Sequence, residues 1–199
     1  MILFIDCETV CGVSPAEPEP GIEYADGWQD YLGMGIACAC ALDDRGLPLI
    51  ALGENLGPQS EWRSQLAAAQ LIVGFNLEFD ANLLAAHGAP LPPDVPRYDL
   101  QRAVWRGMGL SEKYDPATHG GTSLGALAEE NLGIGKSGHG GDAPVRWQRG
   151  ERGPVIGYCL RDCWLLRKLT RRVVITGGLL LRGEYVRVTY PASLAALMD

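Results

Sequence analysis

The chain has 199 residues and a formal net charge of −7, from 17 basic and 24 acidic side chains. That length suits one domain over 1–199 with a sizeable core, and no apolar run is long enough to span a membrane. The apolar start lacks basic residues and contains Asp6 and Glu8, which argues against a secretory leader; six cysteines without one fit a reduced, cytoplasmic setting.

In chain order, residues 2–8 read as a buried strand, and 12–30, rich in Pro, Gly and acids, as a long loop. Residues 33–42 and 47–53 predict two more strands, joined by the turn Asp43-Asp44-Arg45-Gly46. Ser60 is placed to cap a helix over 61–69, and 71–73 is a short buried strand. A helix starting at Asp80 runs to about His87 and stops at Gly88. Pro90, Pro92, Pro93 and Pro96 then force an extended connection. Further helices are expected over 99–107 and, capped by Ser123 and ended by Gly133, over 124–131. Residues 108–121 and 135–150 read as loops, the first of them mobile. A long helix begins near Gly153-Pro154 and ends before Gly177-Gly178, and Leu179 to Tyr190 alternates as a strand or hairpin. Three strands, a helix, a strand and then helices predict an α/β fold: a mixed sheet flanked by helices.

Charge is divided unevenly. Residues 1–95 carry two basic and 14 acidic groups, and residues 96–199 carry 15 basic and 10 acidic groups. Eight cations between Arg146 and Arg172 surround a third acidic motif, which suits a polyanionic substrate or a solvated helix face.

Three short motifs carry the chemistry: Asp6-Cys7-Glu8-Thr9, Gly74-Phe75-Asn76-Leu77-Glu78-Phe79-Asp80, and Tyr158-Cys159-Leu160-Arg161-Asp162. On a strand Asp6 and Glu8 face one way and Cys7 the other. Like charges so close repel unless a cation lies between them. Converged, Asp6, Glu8, Asp80 and Asp162 could hold two Mg²⁺ or Mn²⁺ ions about 4 Å apart, one activating water and one stabilising a leaving 3′ oxygen. Tyr158 precedes Asp162 by one helical turn, so its hydroxyl could orient the water.

In this order and spacing the motifs resemble those of the DEDD superfamily of 3′→5′ exonucleases, which implies a ribonuclease-H-like fold. Tyr158 four residues before Asp162, with Gly157 where the histidine subclass has His, resembles the tyrosine subclass, as in proofreading domains of family A and B DNA polymerases. A narrower likeness is to predicted ribonuclease-H-like exonucleases of bacteria and their phages. It rests on Gly74-Phe75-Asn76, Ser123-Leu124, Asn131-Leu132-Gly133, Lys136-Ser137-Gly138, Ala143-Pro144, Trp147, Gly150 and Tyr158-Cys159. The resemblance spans roughly residues 2–172, and the acidic insert at 12–30 departs from it. It implies that Asp6 bridges both metals, that Glu8 and Asp162 complete the site of the nucleophile-activating metal, and that Asp80 holds the second, partly through water. Thr9 and Asn76 would lie near the terminal nucleotide. The implied activity is release of nucleoside monophosphates from single-stranded 3′ ends, most simply of DNA. An exoribonuclease and a non-catalytic nucleic-acid-binding module are the rivals. A polymerase or helicase activity would need a partner chain. A transposase or ribonuclease H endonuclease would not need the Tyr158–Asp162 pair.

Other features are weaker. Lys136 in its Gly-rich loop reads equally as a substrate contact or a surface charge, and Gly135-Lys136-Ser137 matches only the end of a phosphate-loop pattern. Trp28 and Trp147 could stack on bases or pack. Cys38 and Cys40 share a strand face, and Cys159 and Cys163 a helix face. Neither pair has the two-residue gap of a structural zinc site, so they read as small core residues.

Overall fold

Apolar alternation builds the central strand. In the computed structural model, which describes residues 1–135 and 141–198, β1 (Ile2–Thr9) sends Ile2 and Phe4 into one core and Leu3, Ile5 and Cys7 into another. The expected 12–30 loop follows, but it contains two strand fragments, β2 (Gly12–Val13) and β3 (Tyr24–Ala25), which pair in parallel. The next strand starts later than expected. Asp30 accepts a hydrogen bond from the Gly33 amide and caps a helical turn, α1 (Tyr31–Met34), and Gly35 at φ +60° ends it. Only then does β4 (Ile36–Asp43) begin, followed by β5 (Pro48–Leu52).

Ser60 caps α2 (Glu61–Ala68) as expected, accepting from the Arg63 amide. After β6 (Leu71–Gly74) comes α3 (Leu77–Ala86), which starts one turn before Asp80 rather than at it. The proline-rich connection ends in a three-residue strand, β7 (Arg97–Asp99), too short to carry a periodic signal. Asp99 then caps α4 (Leu100–Gly107).

The 108–121 segment is tied down rather than loose. It holds the turn α5 (Pro116–His119), and buried His119 sits 3.0 Å through Nε2 from the Ser111 carbonyl. Ser123 caps α6 (Leu124–Leu132), which closes at left-handed Gly133. The 135–150 loop gives way to a helix, α7 (Asp142–Gln148). The long helix α8 (Arg152–Thr176) ends at left-handed Gly177, and the tail forms the hairpin β8 (Gly178–Leu181) and β9 (Glu184–Arg187).

The five-stranded sheet has the order β5-β4-β1-β6-β7. β4 runs antiparallel to both β1 and β5, while β1, β6 and β7 are mutually parallel. The fold is therefore α/β with a mixed sheet flanked by helices, an arrangement compatible with a ribonuclease-H-like fold. Leu165, Leu166, Leu169 and Val173 of α8 are buried against Ile2 and Phe4. Each such side chain contributes about 1.5–3 kcal/mol relative to exposure, so α8 is firmly seated on β1. Across the sheet, Leu77, Leu83 and Leu84 of α3 pack with Leu3, Ile5 and Cys7. Among the described residues no helix is long and apolar enough to cross a membrane.

Candidate active site

Strand alternation puts Asp6 and Glu8 on the face of β1 that continues Ile2 and Phe4, with Cys7 on the other face. The β1–β4 register is Asp6 opposite Cys40 and Glu8 opposite Cys38, and it shifts between Glu8 and Thr9. Such irregularities re-aim side chains, and they are common beside active sites.

The helices bring the other acids in. Asp80 is buried on α3, and its Oδ1 accepts a 3.0 Å hydrogen bond from the Cys7 amide of β1. Asp162 is buried on α8. The Cys159 thiol on the same helix donates to the Asp6 carbonyl at 3.3 Å, which fixes this stretch of α8 against β1. Burial, and then the nearby charges of Asp80, Glu8 and Asp162, push the Asp6 carboxyl well above its ordinary value. Thus the other three acids of the motifs, Glu8, Asp80 and Asp162, lie near enough to act on the charge of Asp6.

Asp6 keeps part of its surface in contact with solvent, yet its Oδ2 is buried and makes no hydrogen bond among the described residues. Burial also pushes Asp80 up to about 8, against the pull of the Cys7 amide. An unsatisfied carboxylate oxygen among mutually repelling acids is the condition that a bound divalent cation relieves. The donor set, all oxygen, fits Mg²⁺ or Mn²⁺.

A linked prediction follows from the direction of these shifts. In metal-free protein Asp80 retains its proton to about pH 8, whereas the unfolded chain loses it near pH 4. The folded state thus binds more protons in that window, and stability falls as pH rises through it. Divalent ions replace those protons, so Mg²⁺ or Mn²⁺ should raise the melting temperature more at pH 8 than at pH 6. Equal shifts at both pH values, by scanning fluorimetry, would contradict the coupling.

The remaining expected residues are distributed as follows. Tyr158 lies half-buried on α8, one turn before Asp162. Thr9 is buried at the end of β1. Asn76 is exposed, in the left-handed conformation at φ 62°, and leads into α3 four residues before Asp80. Lys136 lies outside the described residues.

Asp99 is a contributor that sequence reading missed. Its carboxylate caps α4 by accepting from the amides of Gln101 (2.9 Å) and Arg102 (3.2 Å). It also accepts from Asn76 (3.2 Å) and Leu77 (2.9 Å) at the start of α3. One side chain therefore joins two helix starts and sets the helix that carries Asp80. Asp99→Ala should cost about 2–3 kcal/mol, more than the roughly 1 kcal/mol of an ordinary cap, because amides of two helices lose their acceptor. Urea denaturation measures this directly; a loss below about 0.5 kcal/mol would make Asp99 dispensable.

A cavity of about 490 Å³ opens beside Glu8 and Thr9. Its walls come from β1, the 12–30 insert (Val13, Tyr24, Trp28), Phe79 of α3 and Pro144 of α7. Trp28 is 71% exposed at this cavity. Gln148 of α7 holds the insert in place: its Nε2 donates to the carbonyls of Val10 (3.0 Å) and Glu23 (2.9 Å), and its Oε1 accepts from the Glu23 amide (2.8 Å). Arg149 pairs with Glu19. The acidic insert is thus a braced wall.

The basic stretch is more committed than its sequence suggests. Arg149 is paired, Arg152 stacks on Trp147, Arg167 donates to the Asp44 carbonyl, and Lys168 lies over Trp164. Arg171 and Arg172 stand about 14–15 Å along α8 from Asp162. Arg161 adjoins Asp162 on α8 and donates to the Gly135 carbonyl, and Arg146 lies on α7.

The fold and acid cluster define an α/β domain with a candidate divalent-metal centre at one end of its central strand. No protein-family model matches the chain, and no curated protein matches it in sequence. Among solved structures it is similar to the family B DNA polymerase from the hyperthermophilic archaeon Pyrobaculum calidifontis, with a TM-score of 0.54 and 16% identity. The match covers 87% of this chain but only 24% of that one. At this identity the likeness shows the fold alone.

Proposed function

We propose that the chain is a metal-dependent 3′→5′ exonuclease that hydrolyses terminal phosphodiester bonds of single-stranded nucleic acid, with DNA as the first expectation. The observation that carries the reading is the gathering of Glu8, Asp80 and Asp162 around Asp6, whose buried Oδ2 makes no hydrogen bond among the described residues. The motif resemblance and the fold-level likeness to a family B DNA polymerase support it.

Asp6, Glu8, Asp80 and Asp162 would hold two Mg²⁺ or Mn²⁺ ions. When bound, these would activate water and neutralise charge on the leaving 3′ oxygen. The chain's own part is positional. Seating of α8 on β1 holds Asp162 and Tyr158 at a fixed place relative to Asp6 and Glu8, and the Tyr158 hydroxyl would orient the attacking water. The cavity beside Glu8 and Thr9 would receive the terminal nucleoside, and Trp28 would stack on its base. Arg146, Arg161 and Lys136 would meet phosphates of the incoming strand.

The test is digestion of 5′-labelled single-stranded DNA and RNA with Mg²⁺, Mn²⁺ or EDTA. The expected result is a ladder shortening from the 3′ end with metal and none with EDTA. A ladder on RNA alone would make the enzyme an exoribonuclease. Tight binding with no ladder on either polymer would favour the binding-module rival.

A further inference from the structure

Four cysteines in two pairs, Cys38 with Cys40 and Cys159 with Cys163, meet in the core although the pairs lie far apart in sequence. Cys38 and Cys40 project from β4, and Cys159 and Cys163 from the facing side of α8. All four are wholly buried. The Sγ atoms of Cys38, Cys40 and Cys159 lie within 4.8 Å of one another. The thiols of Cys163, Cys38 and Cys40 all reach Cys159, and Cys163 also donates to the Cys40 carbonyl at 3.3 Å.

The geometry points to a thiolate zinc site between β4 and α8, with Cys38, Cys40 and Cys159 as ligands and Cys163 as the fourth. Sulfurs bound at about 2.3 Å around a tetrahedral zinc lie roughly 3.8 Å apart. The three sulfurs therefore need to draw in by no more than about 1 Å, within the reach of side-chain rotation. Cys163 follows Cys159 by one helical turn, so it projects from the same face. The ligands come as pairs from two elements, i and i+2 on the strand and i and i+4 on the helix. A search for closely spaced cysteines along the chain therefore does not find them.

Charge chooses the ion. Four thiolates carry −4, and Glu8 and Asp6 are the cross-strand neighbours of Cys38 and Cys40. Zn²⁺ leaves −2 at the site and Cu⁺ leaves −3, so the divalent ion is favoured beside the acid cluster. Binding forms four Zn–S bonds and releases up to four thiol protons to solvent, with no change of oxidation state. Because the site is closed to solvent, metal would enter as the chain folds. It would clamp α8 onto the strand that flanks Asp6 and Glu8.

The test uses the full chain, expressed with zinc and passed through EDTA to strip ions held by carboxylates. One zinc per chain should remain by elemental analysis. Protein refolded with Co²⁺ should show a near-ultraviolet sulfur-to-cobalt charge-transfer band, which carboxylate ligation does not give. Cys38→Ser and Cys159→Ser should each lose the zinc and the band, while Cys11→Ser and Asp6→Ala should keep both. If the serine variants do not fold, the wild-type zinc content and cobalt spectrum still decide. The inference is overturned if wild type carries no zinc and shows no cobalt–thiolate band. It is equally overturned if folded Cys38→Ser and Cys159→Ser retain both signals.

Discussion

Asp6→Ala should abolish cleavage of DNA and RNA and leave a folded protein. Asp6 lies at the meeting point of the four acids, with Asp80, Glu8 and Asp162 all acting on its charge. It is also proposed to bridge both metal ions, a role no neighbouring side chain can assume. Loss of electrostatic stabilisation of this kind costs roughly 10²–10³-fold or more in rate. The fold should persist because the substitution removes a buried, repelled carboxylate and none of the α8 or α3 packing. In metal-free buffer the variant should melt at or above the wild-type temperature. Added Mg²⁺ or Mn²⁺ should stabilise wild type and leave the variant nearly unchanged. Binding to single strands should persist and weaken with salt. Turnover within tenfold of wild type would remove Asp6 from the centre of the site.

Tyr158→Phe should slow cleavage by about 10²-fold while preserving metal binding and strand affinity. The ring would stay in its half-buried place on α8, so only the hydroxyl is lost. If that hydroxyl orients the water, the loss should fall on kcat and leave KM nearly unchanged. A variant as fast as wild type would reduce Tyr158 to a packing residue. A variant that melts several degrees lower would show that the hydroxyl also supports the helix.

The acids were legible because each motif is local. Alternation places Asp6 and Glu8 together on one strand face, and a single helical turn joins Tyr158 to Asp162. The sheet was legible in outline because Ile2 to Ile5, Ile36 to Leu42 and Leu71 to Val73 are nearly continuous apolar runs. What stayed hidden depends on contacts distant in the chain. Asp99 looks like any helix cap, and nothing local says that its other amides come from the start of α3, 22 and 23 residues away. α7 is short, lies among glycines and gains its place through Gln148 reaching Val10 and Glu23. The order of the 108–121 segment rests on His119, whose surroundings include Trp105 in edge contact and Thr122 beneath its carbonyl. Spacing along the chain also separates Cys38 and Cys40 from Cys159 and Cys163, which only the packing of α8 on β4 unites.

The measurement that tests the central claim most directly is a crystal structure with Mn²⁺ and a nucleoside monophosphate, read by anomalous scattering. Two manganese peaks about 4 Å apart should lie among Asp6, Glu8, Asp80 and Asp162, with Asp6 touching both and the phosphate between them. Manganese sites elsewhere, or a nucleotide bound with no metal at these four carboxylates, would contradict the account.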